Sequence, residues 1–145
     1  MDMTWISERL AVGGGIWSAP NMAELAGMGV THIINMQVEF DERALAEPHN
    51  IQVLWNPIED DFQPKPPQVF ARGVEFAQEA LQQKGTKLFV HCAAGVHRGP
   101  TMALAILCSQ GWQLEAAMRH IQENRYVVDW NEVYVRSVQN FLQSR

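Results

Sequence analysis

The segment from His91 to Thr101, "HCAAGVHRGPT", constrains the fold more than any other part of the chain. It follows "TKLFV", which is typical of a buried strand, and it leads into the apolar stretch "TMALAILCSQG", which predicts a helix. A strand, a short loop containing Gly95 and a helix N-terminus would direct several backbone N–H groups towards one point. Because such a point attracts an anion, the sequence predicts an anion site in this loop.

The rest of the chain alternates between strand-like and helix-like segments. We predict strands over residues 9–15, 31–37 and 51–58, and helices over 18–29, 68–83, 113–125 and 131–143, with a short helix within 39–50 that Pro48 interrupts. Pro57 is expected to end the third of these strands, and residues 59–67, "EDDFQPKPP", form an exposed loop. This order predicts an α/β fold: a central twisted, mostly parallel sheet flanked by helices, with ligands at the carboxyl ends of the strands.

Composition limits the classes of partner. The 145 residues carry a formal charge of −5, which argues against a protein that grips nucleic acid or an anionic membrane through a broad positive field. The length fits one domain over residues 1–145, and we expect a monomer. Two cysteines, Cys92 and Cys108, are too few for a disulfide framework, and the chain shows no leader, so we expect a cytoplasmic protein without a metal site.

Two side chains give the predicted loop its chemistry. Cys92 stands at its entrance, where the partial positive charge of the helix N-terminus and the charge of Arg98 favour thiolate over thiol. The guanidinium of Arg98 is a planar fork that suits two phosphate oxygens. The loop could therefore bind a phosphate group and attack it. The predicted phosphate-binding residues are Ala93, Ala94, Gly95, Val96, His97 and Arg98.

The segment "HCAAGVHR" resembles the HC-x5-R signature of the cysteine-based protein tyrosine phosphatases, with Cys92, Gly95 and Arg98 at the matching places. "ISERLAVGGG", "MGVTHIINM" and "WNPIEDDFQPKPP" resemble the opening and the acid loop of small dual-specificity phosphatases, so the similarity covers nearly the whole chain. It implies a phosphate-binding loop between a central strand and a helix. It further implies a cysteine nucleophile, a cysteinyl-phosphate intermediate, an arginine that holds the phosphoryl group, an upstream aspartate as acid, and neither a metal nor an organic cofactor.

Two neighbouring carboxylates are candidates for the acid, which must lie on a mobile loop that reaches the leaving oxygen. Asp60 lies 32 residues before Cys92 and three after Pro57, a placement that matches the family slightly better than that of Asp61. We therefore predict Asp60 as the acid and keep Asp61 as the second candidate.

Two histidines flank the nucleophile. By resemblance, His91 hydrogen-bonds within the loop and helps to set the thiolate, with its side chain pointing away from Cys92. His97 either lines the mouth of the site, where it meets an anionic substrate when protonated, or faces solvent without a function. Cys108 is interpreted as a packing residue of the apolar helix, too far along it for a disulfide with Cys92.

The residue after the arginine departs from the family pattern. The family usually has serine or threonine there, whose hydroxyl assists departure of the sulfur, whereas this chain has Gly99 and then Pro100. Thr101 is too far along to be assumed a substitute. Our hypothesis is that hydrolysis of the phosphoenzyme is slow.

The substrate remains open at this level. Protein phosphotyrosine, with phosphoserine and phosphothreonine, is the first expectation, and the absence of lysine from "AAGVH" disfavours a phosphoinositide. Phosphoglucans, nucleotides and RNA 5′-phosphates are alternatives. So are a phosphate-binding module that has lost its chemistry, and a rhodanese-type thiol transferase or an arsenate reductase, although these last two would leave the acid loop unexplained.

Overall fold

A computed structural model describes all residues from Met1 to Arg145 and shows one mixed sheet between two layers of helices. The strands are β1 (Met3–Trp5), β2 (Leu10–Gly13), β3 (His32–Gln37), β4 (Gln52–Ile58) and β5 (Leu88–His91). They lie in the order β1-β2-β5-β3-β4, and only β1 runs antiparallel to its neighbour. The predicted α/β class with a mostly parallel sheet is confirmed.

Six α-helices connect and cover these strands. They are α1 (Ala19–Gly27), α2 (Arg43–Ala46), α3 (Pro67–Gln82), α4 (Arg98–Ser109), α5 (Leu114–Asn124) and α6 (Glu132–Gln143). Side chains cap two of them: Ser18 accepts from the Asn21 N–H ahead of α1, and Asn131 accepts from the Val133 and Tyr134 N–H groups ahead of α6. None of the helices combines the length and the apolar character that a membrane crossing needs.

The central strand β5 shows how the sheet is buried on both faces. Successive side chains of a strand point to opposite faces, so Phe89 joins a cluster of nine buried residues beneath α1 and α2. Val90 joins a cluster of 24 buried residues beneath α3 to α6. Burial on both faces explains why "LFV" in β5 is continuously apolar rather than alternating. The same reason makes α4 apolar nearly all round, because it packs against β5 and against three other helices.

Three details differ from the sequence-based predictions. The strand β1 was not predicted, because only three residues pair there, with β2. Strand β4 continues through Pro57 to Ile58; a proline fits because β4 is the edge strand and the β3–β4 register shifts at this point. Pro48 lies in a 3₁₀ turn, Glu47–His49, that follows α2 directly.

The topology brings three loops to one edge of the sheet. Strands β3, β4 and β5 are parallel, so the loops that leave Gln37, Ile58 and His91 emerge side by side. The third of these loops runs into α4, which begins at Arg98. The segments singled out from the sequence, 59–67 and 91–98, therefore meet at this edge.

Candidate active site

The loop from Cys92 to Arg98, here called the cradle, curls around its own cysteine. Gly95 adopts a φ of +68°, and a Cβ at this position would lie 2.7 Å from the carbonyl carbon of Gly13. Only glycine fits both the left-handed backbone and the close approach. As a result the Gly95 N–H donates to the Cys92 Sγ at 3.3 Å.

Four backbone N–H groups of the cradle are unpaired within the protein, whereas the Cys92 N–H donates to the Gly13 carbonyl at 3.3 Å. Those of Ala93, Ala94, Val96 and His97 donate to no other group, while carbonyls of the same segment accept from Gly15, Thr101 and Asp129. Neighbouring unpaired N–H groups at the N-terminus of a helix form a binding site for an anion. Cys92 is buried and its sulfur accepts from the Gly95 N–H in the same loop, so an anion held there would lie close to the sulfur.

Arg98 lies in the first turn of α4 with its side chain buried. Its Nη1 and Nη2 donate to the two Glu39 carboxylate oxygens at 2.8 Å each, and Nη1 also donates to the Ile58 carbonyl at 3.0 Å. Its Nε has no partner, so one edge of the guanidinium is fixed by the protein and the other is left for a ligand. Burial alone would lower the pKa of Arg98, but the hydrogen bonds to Glu39 and the nearby charges of Cys92 and Asp60 raise it, so the group stays charged.

A buried polar cluster lies behind the cysteine. His91 and Glu42 are both fully buried, with His91 Nε2 and Glu42 Oε1 2.7 Å apart. The other oxygen of Glu42 accepts from Asn35, and His91 Nδ1 lies 3.2 Å from the Cys92 carbonyl. The side chain of His91 is thus directed towards Glu42, while Nδ1 can hold the backbone of Cys92 in place.

Arg125 supports the cradle from the other side, a contact that sequence reasoning missed. Its guanidinium donates to the Gly95 carbonyl at 2.9 Å and to the Ala94 carbonyl at 3.3 Å. It is held in turn by Asp2, at 2.9 and 2.7 Å, and this hydrogen bonding lowers the pKa of Asp2. Nothing in the local pattern around Arg125 could have revealed the role, because its partners are 30 or more residues away in the chain.

Asp60 is the acid candidate that the structure brings to the cradle. Its Oδ2 lies 3.1 Å from His97 Nδ1, and its Oδ1 accepts from the Tyr134 hydroxyl at 2.9 Å. Burial, and secondarily the contact with Asp60, raises the pKa of Tyr134 to about 12, so this hydroxyl keeps its proton and donates. One carboxylate is therefore oriented between a cradle residue and a residue of α6.

Asp61 points elsewhere although it is adjacent in sequence. Its Oδ1 contacts Lys65 Nζ at 2.6 Å and accepts from the Gln63 N–H at 3.1 Å. The hydrogen bond from Lys65 lowers the pKa of Asp61, and the hydrogen bonds of this carboxylate lie within its own loop rather than at the cradle. Of the two acid candidates, Asp60 is the one that contacts a cradle residue.

His97 lies at the mouth of the site, between two carboxylates. Besides Asp60 it contacts Asp129, whose Oδ2 is 3.1 Å from its Nε2. The ring of Phe62 stands edge-on to the imidazole, with centroids 5.1 Å apart. The imidazole of His97 therefore contacts side chains on both of its nitrogens instead of facing only solvent.

No hydroxyl replaces the missing one next to Arg98. The Thr101 Oγ1 donates to the His97 carbonyl at 2.6 Å, a bond within the helix. A Cβ at Gly99 would lie 3.3 Å from the Cys92 nitrogen, which is tight but within reach of a small adjustment. Cys108 packs against the larger core cluster, forms no disulfide with Cys92, and burial raises its pKa.

Comparison with known proteins agrees with this geometry. Residues 15–144 match the family described as "Dual specificity phosphatase, catalytic domain". Protein phosphatase Slingshot homolog 3 of Rattus norvegicus is 37% identical over 133 residues, which are 88% of this chain and 19% of that protein. Dual specificity protein phosphatase 5 of the same organism is 29% identical over 119 residues, or 81% of this chain and 30% of that protein. The chain thus spans less than a third of the length of either relative.

Two solved structures share the fold. The crystal structure of PTPMT1 in complex with PI(5)P superposes with a TM-score of 0.87 at 20% identity, covering 98% of this chain and 95% of that one. Human tyrosine phosphatase-like serine/threonine/tyrosine-interacting protein superposes with a TM-score of 0.81 at 24% identity, covering 99% and 97%. At these identities the likeness concerns the fold alone.

Proposed function

Because this chain belongs to the dual-specificity phosphatase family, we propose that it hydrolyses phosphate monoesters through a cysteinyl-phosphate intermediate. One observation carries the proposal: the Cys92 sulfur, unpaired cradle N–H groups and the unpartnered Arg98 Nε belong to one short loop. A phosphoryl group bound there would have its oxygens on the N–H groups and the guanidinium, and its phosphorus beside the sulfur. Such donors stabilise the charge of the transferring group.

The reaction would proceed in two steps. Cys92 Sγ forms a bond to phosphorus while the bond to the leaving oxygen breaks, and Asp60 gives that oxygen a proton. Water then attacks the phosphocysteine, its proton passes to the Asp60 carboxylate, and the sulfur leaves with the electron pair. Arg98 holds the equatorial oxygens in both steps, and His91 supports the backbone of the nucleophile. Sulfur, guanidinium and carboxyl groups carry all of this, so the proposed reaction uses no metal or organic cofactor.

Phosphorylated protein is the substrate class that we propose first. Phosphotyrosine leads, with phosphoserine and phosphothreonine as further substrates. Two curated relatives are protein phosphatases by name, and the cradle side chains between Cys92 and Arg98 include no lysine for additional phosphates. We also propose that the protein acts as a monomer in the cytoplasm. The formal charge of −5 supports a partner other than nucleic acid or an anionic membrane.

Hydrolysis of p-nitrophenyl phosphate tests the proposal. We expect turnover by the wild type, inhibition by vanadate, and loss of turnover in Cys92→Ser, with Cys108→Ser as the matched control that keeps activity. Phosphotyrosine, phosphothreonine, phosphoinositide and phosphoglucan substrates then define the class, with Cys92→Ser as a trap for bound substrate. Turnover that survives in Cys92→Ser would contradict the assignment of the nucleophile.

Gly99 adds a kinetic expectation to the same proposal. Without a hydroxyl next to Arg98, the departure of the sulfur from phosphocysteine is unassisted, so the second step should limit turnover. A pre-steady-state trace should then show a burst of p-nitrophenol, and Gly99→Ser should reduce the burst relative to the steady rate. A wild-type trace without a burst would contradict slow phosphoenzyme hydrolysis.

A further inference from the structure

His97 has a carboxylate at each ring nitrogen. Nδ1 lies 3.1 Å from Asp60 Oδ2, and Nε2 lies 3.1 Å from Asp129 Oδ2. Its side chain is 18% exposed, against 32% for Asp60 and 74% for Asp129. The imidazole is therefore enclosed by the acid loop on one side and by the loop between α5 and α6 on the other.

Counting hydrogens shows what this arrangement requires. A neutral imidazole has one N–H, and an ionised carboxylate only accepts. Contacts at both ring nitrogens are therefore satisfied together only if the group holds one further proton, either on the ring or on a carboxyl. The Tyr134 hydroxyl already donates to the other oxygen of Asp60, so the extra proton belongs between Asp60 and His97 or between His97 and Asp129.

The exposures decide between these two positions. Asp129 is largely solvated, so water satisfies its charge and it has little need of a proton. Asp60 is more enclosed than Asp129, so water stabilises its charge less. The shared proton is best placed between Nδ1 and Asp60 Oδ2, with Asp129 accepting from the Nε2–H and fixing the orientation of the ring.

We propose that His97 is a positioning residue that holds the proton which Asp60 delivers to the leaving group, and that Asp129 keeps His97 in this role. The inference rests on the proposed phosphatase function and on Asp60 as its acid. A proton held by His97 would keep the acid able to protonate the leaving group at neutral pH, where an isolated carboxyl group has lost its proton.

The proton balance closes without another reactant. In the first step the one shared proton passes from Nδ1 to the Asp60 carboxylate and on to the leaving oxygen, the electron pair of that N–H bond stays on the ring, and Asp60 is left ionised. The product leaves as a neutral hydroxyl compound and the ring is left neutral. In the second step the water that attacks phosphorus gives its proton to Asp60, and the proton on Nδ1 is restored.

The other groups around His97 leave the proton between Asp60 and His97. Phe62 from the acid loop presents an apolar ring edge, and Tyr134 from α6 reaches His97 only through Asp60. Within the cradle, Cys92 carries a negative charge in the proposed mechanism, and the positive charge of the following residue, Arg98, is balanced by Glu39. No second cation contacts the carboxylates on either side of the ring.

The first test compares His97→Gln with the wild type over a range of pH on two aryl phosphates. Glutamine can contact Asp60 but cannot carry the proton. We expect kcat/KM for phenyl phosphate, a poor leaving group, to fall by about tenfold at neutral pH and by less than about twofold at acidic pH, where Asp60 holds its own proton. For p-nitrophenyl phosphate, whose leaving group needs little help, the change should stay below about twofold at either pH.

Two further variants separate positioning from mere structure. Asp129→Asn should move the basic limb of the phenyl phosphate profile to lower pH, whereas Glu132→Gln, an exposed carboxylate three positions away with no contact to His97, should leave it in place. In an Asp60→Asn background, His97→Gln should have no further effect. Equal losses on both substrates at all pH values, or additive losses in the double variant, would overturn the proposal.

Ring-nitrogen NMR of His97 keeps this inference separate from the phosphatase activity. Removing either neighbouring carboxylate, by Asp60→Asn or by Asp129→Asn, should lower the pH at which the His97 ring releases its proton. A protein that shows this coupling but no turnover would contradict the proposed function and leave the proton-sharing contact standing. A ring whose titration neither substitution changes would overturn the inference, whatever the activity.

Discussion

The cradle (Cys92–Arg98) and the acid loop (residues 59–66) face each other across the site but are held in different ways. The cradle is buried at both ends, and charged side chains hold it. Arg125 donates to its carbonyl groups, Glu39 binds Arg98, and the buried His91–Glu42 pair lies behind it. The acid loop is exposed along most of its length. Two hydroxyl groups of α6 hold it. The Tyr134 hydroxyl accepts from the Phe62 N–H at 3.0 Å, and the Ser137 hydroxyl accepts from the Lys65 N–H at 2.9 Å.

This difference matches what each loop would have to do in the proposed reaction. A phosphate-binding loop gains from a rigid geometry, because preorganised donors need not rearrange in the transition state. A proton donor must approach and leave its substrate, so neutral hydrogen bonds worth about 1 kcal/mol each are sufficient to hold it. Changes in the cradle should therefore damage binding, folding or both, whereas changes in the acid loop should damage one chemical step.

The largest effect is expected for Arg98→Lys. Lysine keeps the charge but cannot contact Glu39 in bidentate fashion while offering a second edge to phosphate. We expect kcat/KM for p-nitrophenyl phosphate to fall by about a thousandfold or more. Arg119→Lys, an exposed arginine of α5, is the matched control. If steady-state kinetics show a loss of kcat/KM below tenfold, the bidentate contact between Arg98 and Glu39 is not needed for activity.

Asp60→Asn should come next, and its effect should depend on the substrate. We expect about a hundredfold loss of kcat/KM on phenyl phosphate and a smaller one on p-nitrophenyl phosphate, because kcat/KM reports the first step, where a general acid matters most for a poor leaving group. Asp61→Asn removes the same charge one residue away and should retain nearly full activity. If Asp61→Asn were instead the more damaging change, the assignment of the acid would be reversed.

Gly95→Ala tests the fixed backbone of the cradle by stability. The φ of +68° costs alanine about 1 kcal/mol, and the Cβ contact with Gly13 adds about 2 kcal/mol of overpacking. Gly111→Ala is the control. The φ there is +104°, but a Cβ added at Gly111 would have no neighbouring atom within 4 Å, so only the cost of the left-handed backbone remains. Denaturant unfolding should separate the two variants, and equal destabilisation would mean that the cradle can relax.

The smallest effect is expected for Glu39→Gln and depends on pH. The hydrogen bond from Arg98 lowers the pKa of Glu39 from 4.5 to about 2. A carboxyl group with a depressed folded-state pKa stabilises the fold above its unfolded pKa and loses this contribution as pH falls. Because Glu39 is 42% exposed, we expect only about 0.5 kcal/mol in favour of the wild type at neutral pH.

That difference should disappear between pH 4.5 and about 2, the window set by the two pKa values. Chemical unfolding of both proteins at several pH values measures it. A difference that persists at the acid end would mean that Glu39 acts through packing rather than through its charge.

The cradle was the part of the site that sequence could predict. The residues Cys92, Gly95 and Arg98 lie within one short loop, so their spacing and the helix that follows are enough to bring them together. Glu39, Glu42 and Arg125 were not predicted, although each holds the cradle through a contact that crosses at least 30 residues of chain. Such pairs have no local pattern, because only the order of the strands brings them to the same edge.

The sequence by itself determined the α/β class, the order of most elements and the strand–loop–helix segment that carries Cys92 and Arg98, because hydrophobic periodicity and glycine placement act over a few neighbouring residues. The tertiary structure alone decided which of two adjacent carboxylates meets the cradle. Lys65 binds Asp61, while Tyr134 and His97 bind Asp60. That choice depends on side chains from α6 and from the cradle, and folding, rather than spacing along the chain, brings them together.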